Sequence, residues 1–167
     1  MPDLFTVHDA AKVRCFAPPE AIDALAMPAG ALRGRIAPSE VVFVAAPGRA
    51  DELKAGLEAA LASHGNRALV VDHTDGWSFF SITGDGAADV FSRVSMIPLP
   101  AAGAEPVFFM GRVCDVATKA FRRGDRVDLM SGMEASRHVR DRLEQAGDAV
   151  GLHTVAAPSA EPIGVAS

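Results

Sequence analysis

The sequence predicts an α+β fold, an antiparallel sheet with helices packed on one face. Three observations carry that expectation. Short apolar runs bounded by turn residues recur between residues 32 and 130. Between them lie stretches whose apolar residues fall at three- and four-residue spacing, the period of a helix with one buried face. The segment LVVDHTDGWSFFSITGDGAADVF, residues 69–91, sets strand, turn, strand and helix start in one unbroken series.

Residues 1–30 are rich in alanine and proline, and Pro18, Pro19 and Pro28 interrupt any long helix, so an extended arm is expected there. Periodicity begins at 32–36. A second run at 41–46, VVFVAA, stops at Pro47-Gly48, and the two predict a hairpin around Pro38 and Ser39. Over 50–61, Ala50, Leu53, Leu57 and Leu61 share one helical face, with Asp51 and Glu52 in the first turn where the helix dipole favours acids. Gly65-Asn66 is the expected stop.

Residues 68–71 predict a short buried strand and 77–82 the next. A helix opens near Asp85, its inner stripe being Ala87, Val90, Phe91 and Val94, with Asp85 or Thr83 as its cap. Strands follow at 107–113 and 116–121, and Arg123-Gly124-Asp125 reads as a hairpin turn, not an adhesion motif. Val127 and Leu129 alternate with Asp128 and Met130, the pattern of a half-solvated strand. A last helix over 133–145 turns Ala135, Val139 and Leu143 inward and Arg137, Arg140 and Arg142 outward. The order matches a ferredoxin-like βαββαβ arrangement and admits two related halves. The expected domain organisation is an arm over 1–30, one α+β domain over 31–147 and a flexible tail over 148–167.

With 167 residues, 49% hydrophobic and 22% charged, the chain can bury one core, and one domain is the natural expectation. A formal net charge of -5 supplies no basic face for phosphates, which argues against a nucleic-acid partner. The two cysteines, Cys15 and Cys114, lack ligand-like spacing and read as reduced thiols of a cytosolic protein. The acid-containing start MPDLFTVHDAAKVRCF reads as neither signal peptide nor anchor, and no run approaches the roughly 20 apolar residues of a membrane span. A soluble, cytoplasmic protein without a membrane partner is expected.

Asp72, His73 and Asp75 form the cluster with potential acid-base or metal chemistry, because a neighbouring carboxylate tunes an imidazole. Strand alternation separates Asp72 from His73, however, and Asp, Thr and Gly are what a turn requires, so the turn-and-cap reading outweighs the catalytic one. His8, His64, His138 and His153 are dispersed without zinc-ligand spacing. Gly84-Asp85-Gly86 sits where a dinucleotide fingerprint would, but Asp89 occupies the third glycine's place, which favours a plain helix start. No phosphate-binding glycine-lysine loop and no G-x-S-x-G elbow occurs in the sequence. Trp77, Phe79 and Phe80 crowd one strand, so rings point to both faces. Either an aromatic partner surface or a strand buried on both sides follows.

The run VVDHTDGWSFFSITGDGAADVFSR, preceded by RIAPSEVVFVAAPG and followed by FRRGDRVDLM, resembles the gamma subunit of heterotetrameric sarcosine oxidase and, more distantly, the folate-binding aminomethyltransferase superfamily. Val71, Asp72, Asp75, Ile82, Gly84, Ala88, Val90 and Phe91 match, and later Gly124, Asp125, Val127 and Leu129, over roughly residues 32–146. The resemblance implies a fold similar to the aminomethyltransferase folate-binding fold. It also implies a non-catalytic accessory subunit that sits with alpha, beta and delta chains in a complex demethylating sarcosine, or a related N-methyl amino acid, by oxidation. The flavins FAD and FMN, NAD and tetrahydrofolate would belong to the larger chains and zinc to the delta chain, so no cofactor is expected here.

Under that reading Trp77, Phe79, Arg137 and Arg140 are interface candidates and no residue is catalytic. The competing reading is a stand-alone folate-binding or one-carbon transfer protein in which Asp72 or Asp75 holds the pterin or amine. A small-molecule-sensing regulatory domain of the same architecture is a third class.

Overall fold

In the computed structural model, which describes residues 2–6 and 10–155, these signals resolve into ten strands and four α-helices. In chain order they are β1 (Asp3–Thr6), β2 (Ala11–Phe16), α1 (Pro19–Ala24), β3 (Leu32–Ala37), β4 (Glu40–Ala45), α2 (Ala50–Leu61) and β5 (Leu69–Asp72). Then come β6 (Trp77–Thr83), α3 (Ala87–Val94), β7 (Val107–Val113), β8 (Val116–Arg123), β9 (Arg126–Gly132), α4 (Ser136–Gly147) and β10 (His153–Val155). The described residues divide into two compact units, one of residues 10–75 and one of 2–6 and 76–155. Each has its own apolar core. Two cores replace the single domain expected over 31–147. Residues 148–155 of the expected tail form a 3₁₀ turn and β10, and the rest of it lies outside the described residues.

The first unit runs β2-α1-β3-β4-α2-β5, a complete βαββαβ succession, and its sheet has the order β3-β4-β2-β5 with every pairing antiparallel. The residues expected as an extended arm supply its central strand and first helix. Ala11, Val13 and Cys15 of β2 and Val41, Phe43 and Ala45 of β4 face the helices and are buried. Pro18 and Pro19 start a helix instead of preventing one. A proline in the first turn forfeits no hydrogen bond and presets φ. Arg33 of β3 donates to the Ile22 and Leu25 carbonyls, which satisfies the end of α1. In α2 the buried residues are Leu53, Leu57 and Leu61, each stabilising the docked helix by about 1.5–3 kcal/mol. A 3₁₀ segment, Ala62–Arg67, then turns at Gly65 (φ 54°) into β5.

The second unit repeats the plan with a substitution. Its sheet order is β10-β1-β6-β9-β8-β7, so β6, β9 and β8 stand as β2, β4 and β3 do in the first. The place beside the first strand is taken by β1, antiparallel to β6, and β10 lies parallel outside it. Strand β7 extends the opposite edge through its pairing with β8. Helix α3 buries Ala87, Val90, Phe91 and Val94. Its cap differs from expectation, for neither Asp85 nor Thr83 serves. Gly86 occupies the position at φ 100° with no side-chain cap, and a Cβ there would lie 3.3 Å from Pro2 Cδ.

Strand β9 is not half-solvated. Val127 and Leu129 join the helix-side core, while Asp128 and Met130 on the other face are equally buried. In the first unit Lys12, Val42 and Val44 are likewise buried on the face away from the helices. The central strands of each sheet are thus buried on both faces.

Candidate functional site

The Asp72–Asp75 corner folds as a turn. Asp72 Oδ1 accepts hydrogen bonds from the Thr74 amide (2.9 Å) and the Thr74 hydroxyl (2.6 Å), so the aspartate side chain closes a loop onto its own backbone. The Lys12 amide donates to Thr74 Oγ1 at 3.3 Å and the His73 amide to the Lys12 carbonyl at 2.7 Å, tying the corner to β2. Burial pushes the Asp72 carboxyl up, but the Thr74 hydroxyl and amide together with the Lys54 and Lys12 charges outweigh it and hold the group below its ordinary value. An ionised, hydrogen-bonded Asp72 has no proton to donate near neutral pH. Asp75 is exposed in the 3₁₀ turn Thr74–Gly76. Asp72 is thus turned onto Thr74 while Asp75 faces solvent.

The other flagged residues lie in two turns, on β6 and on α4. Gly84-Asp85-Gly86 and the Gly124-Asp125 hairpin turn border one shallow depression of about 180 Å³ with Arg122, Leu99 and Val127. Asp85 and Asp125 make its rim acidic, which disfavours a phosphate. Trp77 is 8% and Phe79 0% exposed, so β6 is the strand buried on both sides and these two rings form no open surface. The Lys119 ammonium lies 4.3 Å from the Trp77 ring centroid, a cation-π contact. Arg137, 95% exposed, reaches Asp141 at 3.8 Å, and Arg140 donates to Glu144 at 3.0 Å, so acids of the same helix neutralise part of the α4 basic face.

Burial pushes the Cys15 thiol up to about 12 against the lowering influence of Arg33, and pushes the Cys114 thiol up to about 11. Neither is a nucleophile near neutral pH. Among the described residues no group of three or more His, Cys, Asp or Glu side chains could hold a metal ion, and no helix is long and apolar enough to cross a membrane.

Two features escaped the sequence reading. Asp128, 0% exposed, accepts from Arg123 at 2.7 Å, from Arg126 at 2.8 Å and from the Ser81 hydroxyl, and Arg126 also reaches Ser81 Oγ at 2.8 Å. Three strands and their hairpin turn are joined by this buried ionic cluster. The only available signal was the charge alternation in RRGDRVD, which solvent exposure explained equally well. The second feature is a cavity of about 310 Å³ between α2 and the 25–29 loop, walled by Leu25, Met27, Pro28, Leu53 and Leu57. At its rim Arg49 donates to Glu52 at 2.9 and 3.3 Å and to the Ala29 carbonyl at 2.7 Å. Such a wall can take an apolar group, with the Arg49-Glu52 pair as its polar edge.

No family model and no curated protein matches the chain. Solved structures do. A chain of the heterotetrameric sarcosine oxidase from Corynebacterium sp. U-96, in complex with pyrrole 2-carboxylate, superposes with a TM-score of 0.74 at 16% identity, over 95% of this chain and 85% of that one. The glycine cleavage system aminomethyltransferase T from Bartonella henselae gives 0.69 at 16% identity, over 92% of this chain but 47% of that one, so this chain spans about half of it. The regulatory subunit of aspartate kinase from Thermus thermophilus gives 0.51 at 18% identity, over 86% and 95%. At these identities the likeness shows the fold alone. The chain has the mixed α+β fold, with antiparallel sheets, that these sarcosine oxidase and aminomethyltransferase chains share.

Proposed function

We propose that this protein is a non-catalytic, gamma-type accessory subunit of a sarcosine oxidase-like flavoprotein complex that oxidatively demethylates sarcosine or a related N-methyl amino acid. The observation that carries the reading is coverage. The fold superposes on 85% of a chain of the heterotetrameric sarcosine oxidase with a TM-score of 0.74, against 47% of the aminomethyltransferase at 0.69, which supports the sarcosine oxidase-like reading over the transferase one. Its conspicuous reactive groups are engaged structurally: Asp72 closes a turn, and Cys15 and Cys114 are buried thiols. In this reading alpha, beta and delta chains are the partners and FAD, FMN, NAD and tetrahydrofolate reside on them. The assembly is cytoplasmic.

The test is sarcosine-dependent formaldehyde release by the large chains with and without this one. The reading expects none from this chain alone and a more active or longer-lived complex when it is added. Large chains indifferent to its presence would contradict it.

A second reading draws on the aspartate kinase regulatory subunit, whose fold is similar, and on the α2 cavity. There the chain senses a small apolar metabolite, and calorimetric titration with apolar amino acids would register binding that Leu57→Trp, which fills the cavity, abolishes. A stand-alone folate protein would instead give heat with tetrahydrofolate.

A further inference from the structure

The two sheets present four edges, and three are protected. Strand β3 carries a register shift between Arg35 and Ala37, and the Arg35 side chain folds back onto the Ala37 carbonyl at 2.8 Å. Strand β5 has four residues and ends on Asp72, and β10 has three. Bulges, brevity and charge are the usual devices against edge-to-edge pairing. Strand β7, VFFMGRV, has seven residues in unbroken register with β8 and carries no proline, lysine or acid.

Its outward face can be read from its far end. The Met96 amide donates to the Arg112 carbonyl at 3.2 Å and the Cys114 amide to the Val94 carbonyl at 2.8 Å, so residues 112 and 114 turn their backbone groups away from β8. Antiparallel alternation then directs the amides and carbonyls of Phe108 and Met110 outward as well. Among the described residues none pairs with them: the chain's own residues 94–96 begin an added strand and leave the edge at Ile97. Gly111 permits that departure, since a Cβ there would strike the Ile97 side chain. Among the described side chains of this unit, the two large apolar ones that are most exposed, Met96 (77%) and Met110 (45%), both stand at this edge.

The strand is held firmly from behind. Phe109 packs edge-on against Phe91 of α3 at 5.7 Å and Phe108 against Phe121 of β8 at 5.1 Å. A rigid, open, apolar edge is a template for strand addition.

Charge selects the occupant. With Arg123 paired to the buried Asp128, the β7-β8 hairpin still carries Arg112, Lys119 and Arg122 against its single acid Asp115, in a chain whose net charge is -5. A second copy would set the same cationic hairpin beside itself, whereas an acidic strand meets complementary charge. Beside the edge a shallow depression of about 310 Å³, lined by Met110, Gly111, Arg112, Ala117, Thr118 and Lys119, offers a seat for one of its side chains. We infer that β7 is the docking edge of this protein and that it takes an extended, acidic segment of a partner chain by antiparallel or parallel strand addition. The inference rests on the accessory-subunit reading and names the surface by which that subunit joins the complex.

The test uses the full chain, tagged and co-expressed with the sarcosine oxidase-type large chains of its own organism, and quantifies their co-purification. Met110→Pro removes an amide that the β8 ladder does not use, and Met110→Glu places an acid at an exposed side chain where an acidic strand must lie. Both variants should keep the wild-type circular dichroism and melting profile and lose about tenfold or more of the association. Folded variants that associate as the wild type does overturn the edge assignment and leave the accessory reading standing. A wild-type chain that fails to associate overturns both. If the isolated chain sediments as a dimer that Met110→Pro dissolves, the occupant is a second copy and the acidic-partner inference is wrong.

Discussion

Replacing Asp128 by alanine removes the shared acceptor of the ionic cluster on β6, β8 and β9. The Asp128 side chain is fully buried, and those of Arg123 and Arg126 are 14% and 15% exposed, so solvent screens the cluster only weakly. Removing one member of a buried ion pair typically costs about 3–5 kcal/mol, because the remaining charge keeps its desolvation without its partner. Here two guanidinium groups and the Ser81 hydroxyl lose the same carboxylate, which places the expected loss in the upper part of that range. By contrast, the exposed Arg137-Asp141 pair should contribute about 0–1 kcal/mol.

Urea unfolding followed by circular dichroism separates the two at unchanged m-value. Replacing the cluster as a whole, with Arg123→Met, Arg126→Leu and Asp128→Leu together, should recover most of the loss, since matched apolar residues avoid the desolvation cost. A loss below about 1 kcal/mol for Asp128→Ala would refute the claim that this cluster is a desolvated unit.

Three further outcomes follow from the same geometry. Cys15 and Cys114, buried with raised thiol values, should both resist a disulfide-exchange reagent at mildly alkaline pH in the native protein and both react in denaturant; rapid native labelling of either contradicts its burial. Glu144 is held below the usual carboxylate range first by the Arg140 hydrogen bond and then by that from Thr154 Oγ1 at 2.9 Å, with burial opposing. Its stabilising contribution is therefore present above the ordinary carboxylate value and fades as pH falls through the lowered one. Amide exchange in β10 should accelerate in acid, and Glu144→Gln should show that faster exchange at neutral pH and flatten its pH dependence. Gly147→Ala ought to gain helix propensity by about 1 kcal/mol, yet its Cβ would meet Leu152 Cβ, so a net loss of about 1–3 kcal/mol in thermal or urea unfolding is expected, and a gain would show that the α4 terminus adjusts freely.

Much of the fold was legible because local signals and burial agree. The 50–61 helix has the expected limits: Leu53, Leu57 and Leu61 lie on one face and Pro47-Gly48 separates it from β4. The inner stripe of α3 and the hairpin at Pro38-Ser39 follow from period and turn chemistry alike. The N-terminal region misled through its prolines. Proline reads as a breaker but sits in the first turn of α1.

Strand β9 misled as well, since a buried aspartate that follows two arginines has the same local pattern as an exposed one. The halved architecture was visible only as a suggestion. The place that β5 holds in one sheet is taken in the other by β1, from the distant N-terminus. At the candidate site the turn chemistry of Asp72 and Thr74 was readable, because an aspartate two residues before its hydrogen-bonding partner is a local motif. The α2 cavity and the open β7 edge were not, for each depends on residues brought together only by folding.

The central claim is that this chain is a partner-dependent subunit. Size-exclusion chromatography of the co-expressed chains, monitored in the visible flavin band, tests it most directly. The account predicts one early-eluting yellow peak containing this chain in fixed proportion to the large ones. A colourless, stable peak of this chain eluting apart from the flavoprotein would contradict it.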